Sequence, residues 1–406
     1  MTSTRAPAGA CLALFMAMTL GGAVRAAAAV AGPPPAFAEQ TSAPPAKSAT
    51  RFVVETVGRG LVHPWSVDFL PDGRFLVTER AGRLRIIGRD GSVSAPLRGL
   101  PAMRNQRLLD VRLDPRFAEN RLLYFNFSEA RPDGNGLSVA RARLSPDGTR
   151  LERVKIILRA QRALRTKLAS GRLAPTPDGY LYVTVVTGVG ERGLPKGLMD
   201  SQQLDVDPGK VLRIRTDGAI PADNPFVGKA EARPEIFDLG HRDMQGAAIN
   251  PTTGELWVVE HGAKGGDEVN IVRPGRNYGW PLVSYGVEYD ETPVGTGLGS
   301  APGFEEPIYF WRPDIGPSGM MFYTGSLFPE WKGDLFVGAL TGKRLVRLML
   351  RGERVVGEEP LLRELDSRIR DVRQGPDGAI YLLTDEDAGR LLRLVPQIAS
   401  GGNTPR

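Results

Sequence analysis

The chain has 406 residues, with 49 glycines, 33 prolines, a single cysteine and a formal net charge of +6. That length suits one large all-β domain or two smaller ones. A mild basic excess without a recognisable nucleic-acid-binding module argues against nucleic acid as a partner, and Cys11, alone near the N-terminus, excludes a disulfide framework.

The N-terminal 38 residues have the layout of a secretory signal. Arg5 supplies the positive end, residues 10–24 the apolar centre, and Ala36-Phe37-Ala38 before Glu39 a small-x-small cleavage site. A cut within residues 26–28 is the alternative. The apolar run is shorter than the roughly 20 residues of a membrane-spanning helix, so no span is expected and the protein is expected to be periplasmic or secreted. Lipid attachment at Cys11 fits less well, because the apolar run follows the cysteine. Residues 39–50, EQTSAPPAKSAT, read as a disordered leader, and residues 397–406 as a flexible tail.

From residue 51 to 396 one unit recurs: a Pro-Asp-Gly-like turn, an alternating strand, a Gly or charged break, and a second strand. Pro71-Asp72-Gly73 precedes RFLVTER, Asp114-Pro115 precedes RLLYFNF, and Pro177-Asp178-Gly179 precedes YLYVTVV. Pro251 with Gly254 precedes ELWVVEH, Pro329 with Gly333 precedes DLFVGAL, and Pro376-Asp377-Gly378 precedes AIYLLTD. Six turn-plus-strand units without helical periodicity between them predict an all-β, six-bladed β-propeller. The strand near residues 51–57 is expected to complete the last blade and close the ring. A β-sandwich is the alternative, but it would not require the same turn at each unit. Ligands are expected over the central channel.

Basic residues concentrate at 104–116 and 153–172, which suits an anionic ligand or an acidic surface. The richest stretch is 236–286. In it a Gly-His-Arg turn precedes a strand, then the loop His261-Gly262-Ala263, then the acidic pair Asp267-Glu268. Carboxylates beside glycine-rich backbone suit calcium, which takes oxygen ligands; a solvated turn with two surface acids is the plainer reading. The chain has three histidines. His63 reads as structural, His241 as a turn-bonding residue, and His261 as the remaining candidate base.

The segments GLVHPWSVDFLPDGRFLVTERAGRLRII, GKVLRIRTDGAIPADNPFVG, EHGAKGGDEVN, NYGWPLVSYG and RIRDVRQGPDGAIYLLTDEDAGRLLRL resemble the soluble PQQ-dependent aldose sugar dehydrogenases, the glucose/sorbosone dehydrogenase family. The resemblance runs from about residue 51 to 396. It implies a propeller that oxidises the anomeric carbon of an aldose to a lactone, passing hydride to pyrroloquinoline quinone (PQQ), with calcium bound. It also implies cofactor contacts at Asn105, Arg242, Arg368 and Arg370. Metal ligands are implied at the backbone of Gly262 and Ala263 and at a second site of Asp267 and Glu268.

The pattern is broken at the base. Where the family carries Gly-Gly-His-x-x-x-Arg-Leu, Leu168 stands in the histidine's place, and Arg104 and Arg107 replace glycines that admit the quinone. Asp243 replaces an asparagine after Arg242. The expected function is therefore an exported quinoprotein-type oxidoreductase with a degenerate site, its base His261, Asp243 or water. The alternative is a non-catalytic propeller that binds an anionic ligand or a protein partner. A calcium-dependent lactonase ranks behind both, because the strand-end acids lack clear spacing.

Overall fold

The computed structural model describes residues 1–2, 32–101, 103, 107–132, 134–162, 169–187 and 199–397. Six antiparallel sheets are arranged around one axis, as the repeat predicts. The first strand, β1 (Phe52–Leu61), stands apart from its sequence neighbours. Blade one is β2 (Pro64–Phe69), β3 (Phe75–Glu79) and β4 (Arg83–Ile87). Blade two is β5 (Arg107–Leu113), β6 (Leu122–Arg131), β7 (Gly134–Leu144) and β8 (Leu151–Arg159). Blade three is β9 (Leu173–Pro175), β10 (Tyr180–Val185) and β11 (Lys210–Arg215). Blade four is β12 (Asp243–Ile249), β13 (Leu256–His261), β14 (Asp267–Ile271) and β15 (Tyr309–Trp311). Blade five is β16 (Pro317–Phe322), β17 (Leu335–Ala339), β18 (Arg344–Arg351) and β19 (Arg354–Leu361). Blade six is β20 (Ile369–Gln374), β21 (Ile380–Thr384), β22 (Gly389–Pro396) and, from the other end of the chain, β1.

β1 pairs antiparallel with β22, from Phe52 opposite Pro396 to Leu61 opposite Gly389, which closes the ring as expected. The innermost strands β2, β5, β9, β12, β16 and β20 abut in that cyclic order. Each recurring turn joins an innermost strand to the next one out, so all six turns share one end of the ring, here the lower end. Gly73, Gly179, Gly254 and Gly378 have φ between +76° and +85°, which explains the glycine that closes these turns.

A buried apolar cluster fills each of the six contacts between neighbouring blades. Sheets apolar on both faces read as the dense Val, Leu, Ile and Phe runs that follow each turn. Among the described residues no helix is long and apolar enough to cross a membrane.

Residues 39–50, expected as a disordered leader, lie along blades four and five. The fully buried Gln40 accepts Phe310 N–H on its carbonyl and donates its side-chain amide to Pro307 O. Pro45 bridges Glu358 in parallel, and the Glu330 carboxylate accepts Ala49 and Thr50 N–H. Composition misses this segment because it docks mainly through hydrogen bonds, including main-chain ones to the edges of β15 and β19, with Ala43 its one buried apolar side chain. The tail beyond residue 397 lies outside the described residues.

Candidate active site

The axis is closed midway by a polar plug. Arg172, 1% exposed, donates Nη1 to Asp371 Oδ1 (3.0 Å), Nε to Gln245 O (2.6 Å) and Nη2 to Arg370 O (3.1 Å). Its guanidinium lies 3.9 Å from the Trp65 ring centroid. Arg373 bonds Asp371 and Asp110, and Asp110 accepts Ser66 Oγ–H and Leu173 N–H. Blades one, two, three, four and six are thus tied across the centre by charge-assisted bonds.

Above the plug, where the inner strands begin, the described residues line a cavity of about 210 Å³. Arg80, Arg107, Arg368 and Arg370 meet there with Asp243 and His261. Asp385 compensates part of the charge. It bonds Arg370 Nη2 at 2.6 Å and His63 Nδ1 at 2.8 Å, with Arg80 at 3.7 Å and Arg368 at 3.9 Å. Burial would raise the Asp385 carboxyl, but the Arg370 charge and hydrogen bond outweigh it and hold the pKa at about 2. Arg107 has no carboxylate partner among the described residues; burial, then the charges of Arg80 and Arg370, depress its pKa. Arg370 Nε is buried without a hydrogen-bond partner.

Asp243 and His261 form a directly opposed cross-strand pair of β12 and β13. His261 Nε2 donates to Pro317 O at 2.7 Å, which turns Nδ1 toward Asp243 Oδ2 at 3.4 Å. Gln245 Nε2 donates to Asp243 Oδ1 at 2.6 Å. Burial disfavours the Asp243 carboxylate, but its bond to His261 and the nearby positive charge prevail and lower its pKa; Asp243 in turn raises that of His261 against burial.

The other sequence-predicted residues fall in different places. Asn105 and Leu168 lie outside the described residues. Arg242 is not on the cavity wall: Nη1 donates to His261 O (3.0 Å) and the guanidinium lies 5.1 Å from the Trp280 ring. His241 is fully buried between Glu260 (2.7 Å) and Asp238 (3.1 Å) and stacks on Tyr278, a structural ion cluster as its sequence context suggested.

Asp267 and Glu268 do not share a site. Strand alternation sends them to opposite faces of β14. Asp267 accepts N–H from Gly262, Ile315 and Gly316, so its oxygens tie the start of the loop at 262–266 to the connection between β15 and β16. Glu268 faces Asn270, Glu260 and Glu306, and burial, then the Glu260 charge, pushes its pKa up to about 8. Gly262 is required by this packing, since a Cβ there would lie 2.2 Å from Gly265 O. Among the described residues no three His, Cys, Asp or Glu side chains converge as a metal site.

Sequence reasoning missed Asp385 and Arg80. The signal available was charge balance: Arg370 on the buried inner strand β20, with Arg368 just before it, requires an acid nearby, and Asp385 directly follows β21.

The family model for Glucose / Sorbosone dehydrogenase matches residues 61–393. The aldose sugar dehydrogenase YliI of Escherichia coli is 39% identical over 351 residues, covering 85% of this chain and 93% of that protein. The solved apo-form of the soluble E. coli aldose sugar dehydrogenase superposes with a TM-score of 0.81 at 37% identity, covering 86% of this chain and all of the other. The PQQ-bound aldose sugar dehydrogenase of Streptomyces coelicolor superposes with a TM-score of 0.69 at 26% identity, over 87% of this chain and all of the other. With the ring, the match along nearly all its length and these relatives in agreement, the chain belongs to the glucose/sorbosone dehydrogenase family.

Proposed function

We propose that the protein is an exported, quinoprotein-type sugar dehydrogenase that oxidises the anomeric carbon of an aldose to a lactone, with Asp243 as proton acceptor. The observation that carries this reading is the meeting of four guanidiniums and one ionised carboxylate on the walls of a single axial cavity. Export rests on the N-terminal signal layout.

PQQ is a planar tricarboxylate, and the residues present fit it by charge. Arg370 Nε is buried and unpartnered, and Arg107 faces the cavity without a carboxylate partner among the described residues. When bound, PQQ supplies an acceptor for the hydride that leaves the anomeric carbon. Arg107, Arg368 and Arg370 would hold its carboxylates, for which the guanidinium fork is suited. Asp243, kept ionised by His261 and Gln245, takes the proton of the anomeric hydroxyl as its oxygen becomes the lactone carbonyl. His261, oriented by Pro317 O, faces Asp243 through Nδ1 and stabilises its negative charge. Asp267 and Glu268, the side chains expected at the second calcium site, face opposite sides of β14.

A second reading, a non-catalytic propeller holding an anionic ligand, is favoured by cavity size. The volume of about 210 Å³ among the described residues is below the roughly 300–1,000 Å³ of most small-molecule sites. Reconstitution with PQQ and calcium, followed by aldose-dependent dye reduction, separates the two. Turnover above a buffer control is expected, and Asp243→Asn should lower kcat by about 10²–10⁴-fold. Tight PQQ binding without turnover leaves the second reading. Absence of both refutes the quinoprotein assignment.

A further inference from the structure

The lower end of the axis carries a second cavity, of about 340 Å³, to which all six inner strands contribute. It is larger than the upper cavity and falls within the usual range for small-molecule sites, roughly 300–1,000 Å³. Arg172 and its partners separate the two, so a molecule in one does not reach the other.

The lower walls are mixed, with Ala248 of β12 and Met320 and Phe322 of β16 forming an apolar part and Asp68 of β2 also lining the space. Against them stand two guanidiniums, Arg112 of β5 and Arg373 of β20. Their surroundings differ. Arg373 is bonded to both Asp371 and Asp110. Arg112 has only Asp68, at 3.4 Å, and its Nε is buried without a hydrogen-bond partner. The Asp68 oxygens already accept the N–H groups of Phe69 and Leu113. Burial, then the neighbouring Arg373 charge, lowers the Arg112 pKa against the opposing charges of Asp68, Asp110 and Asp371. A partly buried guanidinium whose Nε lacks a hydrogen-bond partner, beside apolar side chains, suits an anion carrying an apolar body.

We propose that this lower cavity is a binding site for a small monocarboxylate with an aromatic or branched apolar body, its carboxylate paired with Arg112. The apolar end lies against Ala248, Met320 and Phe322, which contribute by burial, while the guanidinium fork fixes orientation. The site is independent of the redox reading, since no residue of the upper cavity takes part.

Isothermal titration of the full chain with benzoate tests it, with benzyl alcohol and sulfate as separate arms. Saturable benzoate binding is expected at about 1 mM or tighter, as befits a ligand of so few atoms. Benzyl alcohol, without the charge, and sulfate, without the apolar body, should each bind at least about tenfold more weakly, the order of one charged hydrogen bond. Arg112→Gln should weaken benzoate at least about tenfold, and Ala248→Leu should block it by filling the space. Arg368→Gln, in the upper cavity, should leave it unchanged. Should Arg112→Gln fail to fold, Ala248→Leu decides. No saturable binding, equal binding of benzyl alcohol or sulfate, or loss of binding in Arg368→Gln alone would overturn the proposal.

Discussion

Asp385 shows how one carboxylate sets the character of the upper cavity. It holds Arg370 directly and leaves Arg107 and Arg368 with charge to spare. Its pKa, about 2 in the fold, is depressed relative to the 3.8 of a free aspartate. Its stabilisation is therefore complete above pH 3.8 and is lost as pH falls toward 2, a change of roughly 2 kcal/mol. Urea denaturation between pH 5 and about 2 should show this slope in the wild type and a shallower one in Asp385→Asn. The same variant should be less stable at neutral pH by roughly 3–5 kcal/mol, because Arg370 is left buried and unpaired. At this scale the sequence was partly legible. Arg368 and Arg370 could be placed on the cavity from their motif, whereas Asp385 could be found only by asking what balances them. Arg242 was placed on the cofactor by motif, yet its guanidinium turns to His261 O and Trp280.

Secondary-structure elements explain both what the sequence reveals and where adjacency misleads. The turn glycines with positive φ repeat because every inner strand must reverse at the lower end, so the propeller was readable from six short motifs. Asp267 and Glu268 are neighbours in sequence but face apart on β14, and a period of two makes that separation unavoidable in any strand. The Gly-His-Arg turn before β12 carries the buried His241, whose pKa is raised to about 10. Burial opposes the charge, and Asp238 and Glu260 overcome it. Its ion pairs stabilise the fold fully below the unfolded pKa of 6.5 and are lost as pH rises through about 10. Imidazole NMR should find His241 still protonated at pH 8. His241→Gln should destabilise the protein by roughly 3–5 kcal/mol near pH 6 and flatten the alkaline limb of its stability profile.

Across the whole molecule, stability is distributed over six blade contacts of similar make-up, linked at the centre by the Arg172 plug. The leader at residues 39–50 adds hydrogen bonds across blades four and five that composition does not reveal. Deleting residues 1–50 should leave the ring intact and lower Tm by several degrees, since the four hydrogen bonds made by Gln40, Ala49 and Thr50 are worth roughly 2–6 kcal/mol net. Deleting residues 1–61, which removes β1, should instead expose β22 and give an aggregating protein, as size-exclusion chromatography would report.

The seam between β1 and β22 has a consequence for biogenesis. Its partners come from opposite ends of the polypeptide, so the first strand made waits for the last one before it can pair. Blades one to five can form in chain order, but the circle cannot shut until residue 396 is available to pair. Until then the chain carries an open sheet edge at each end, onto which another chain could pair.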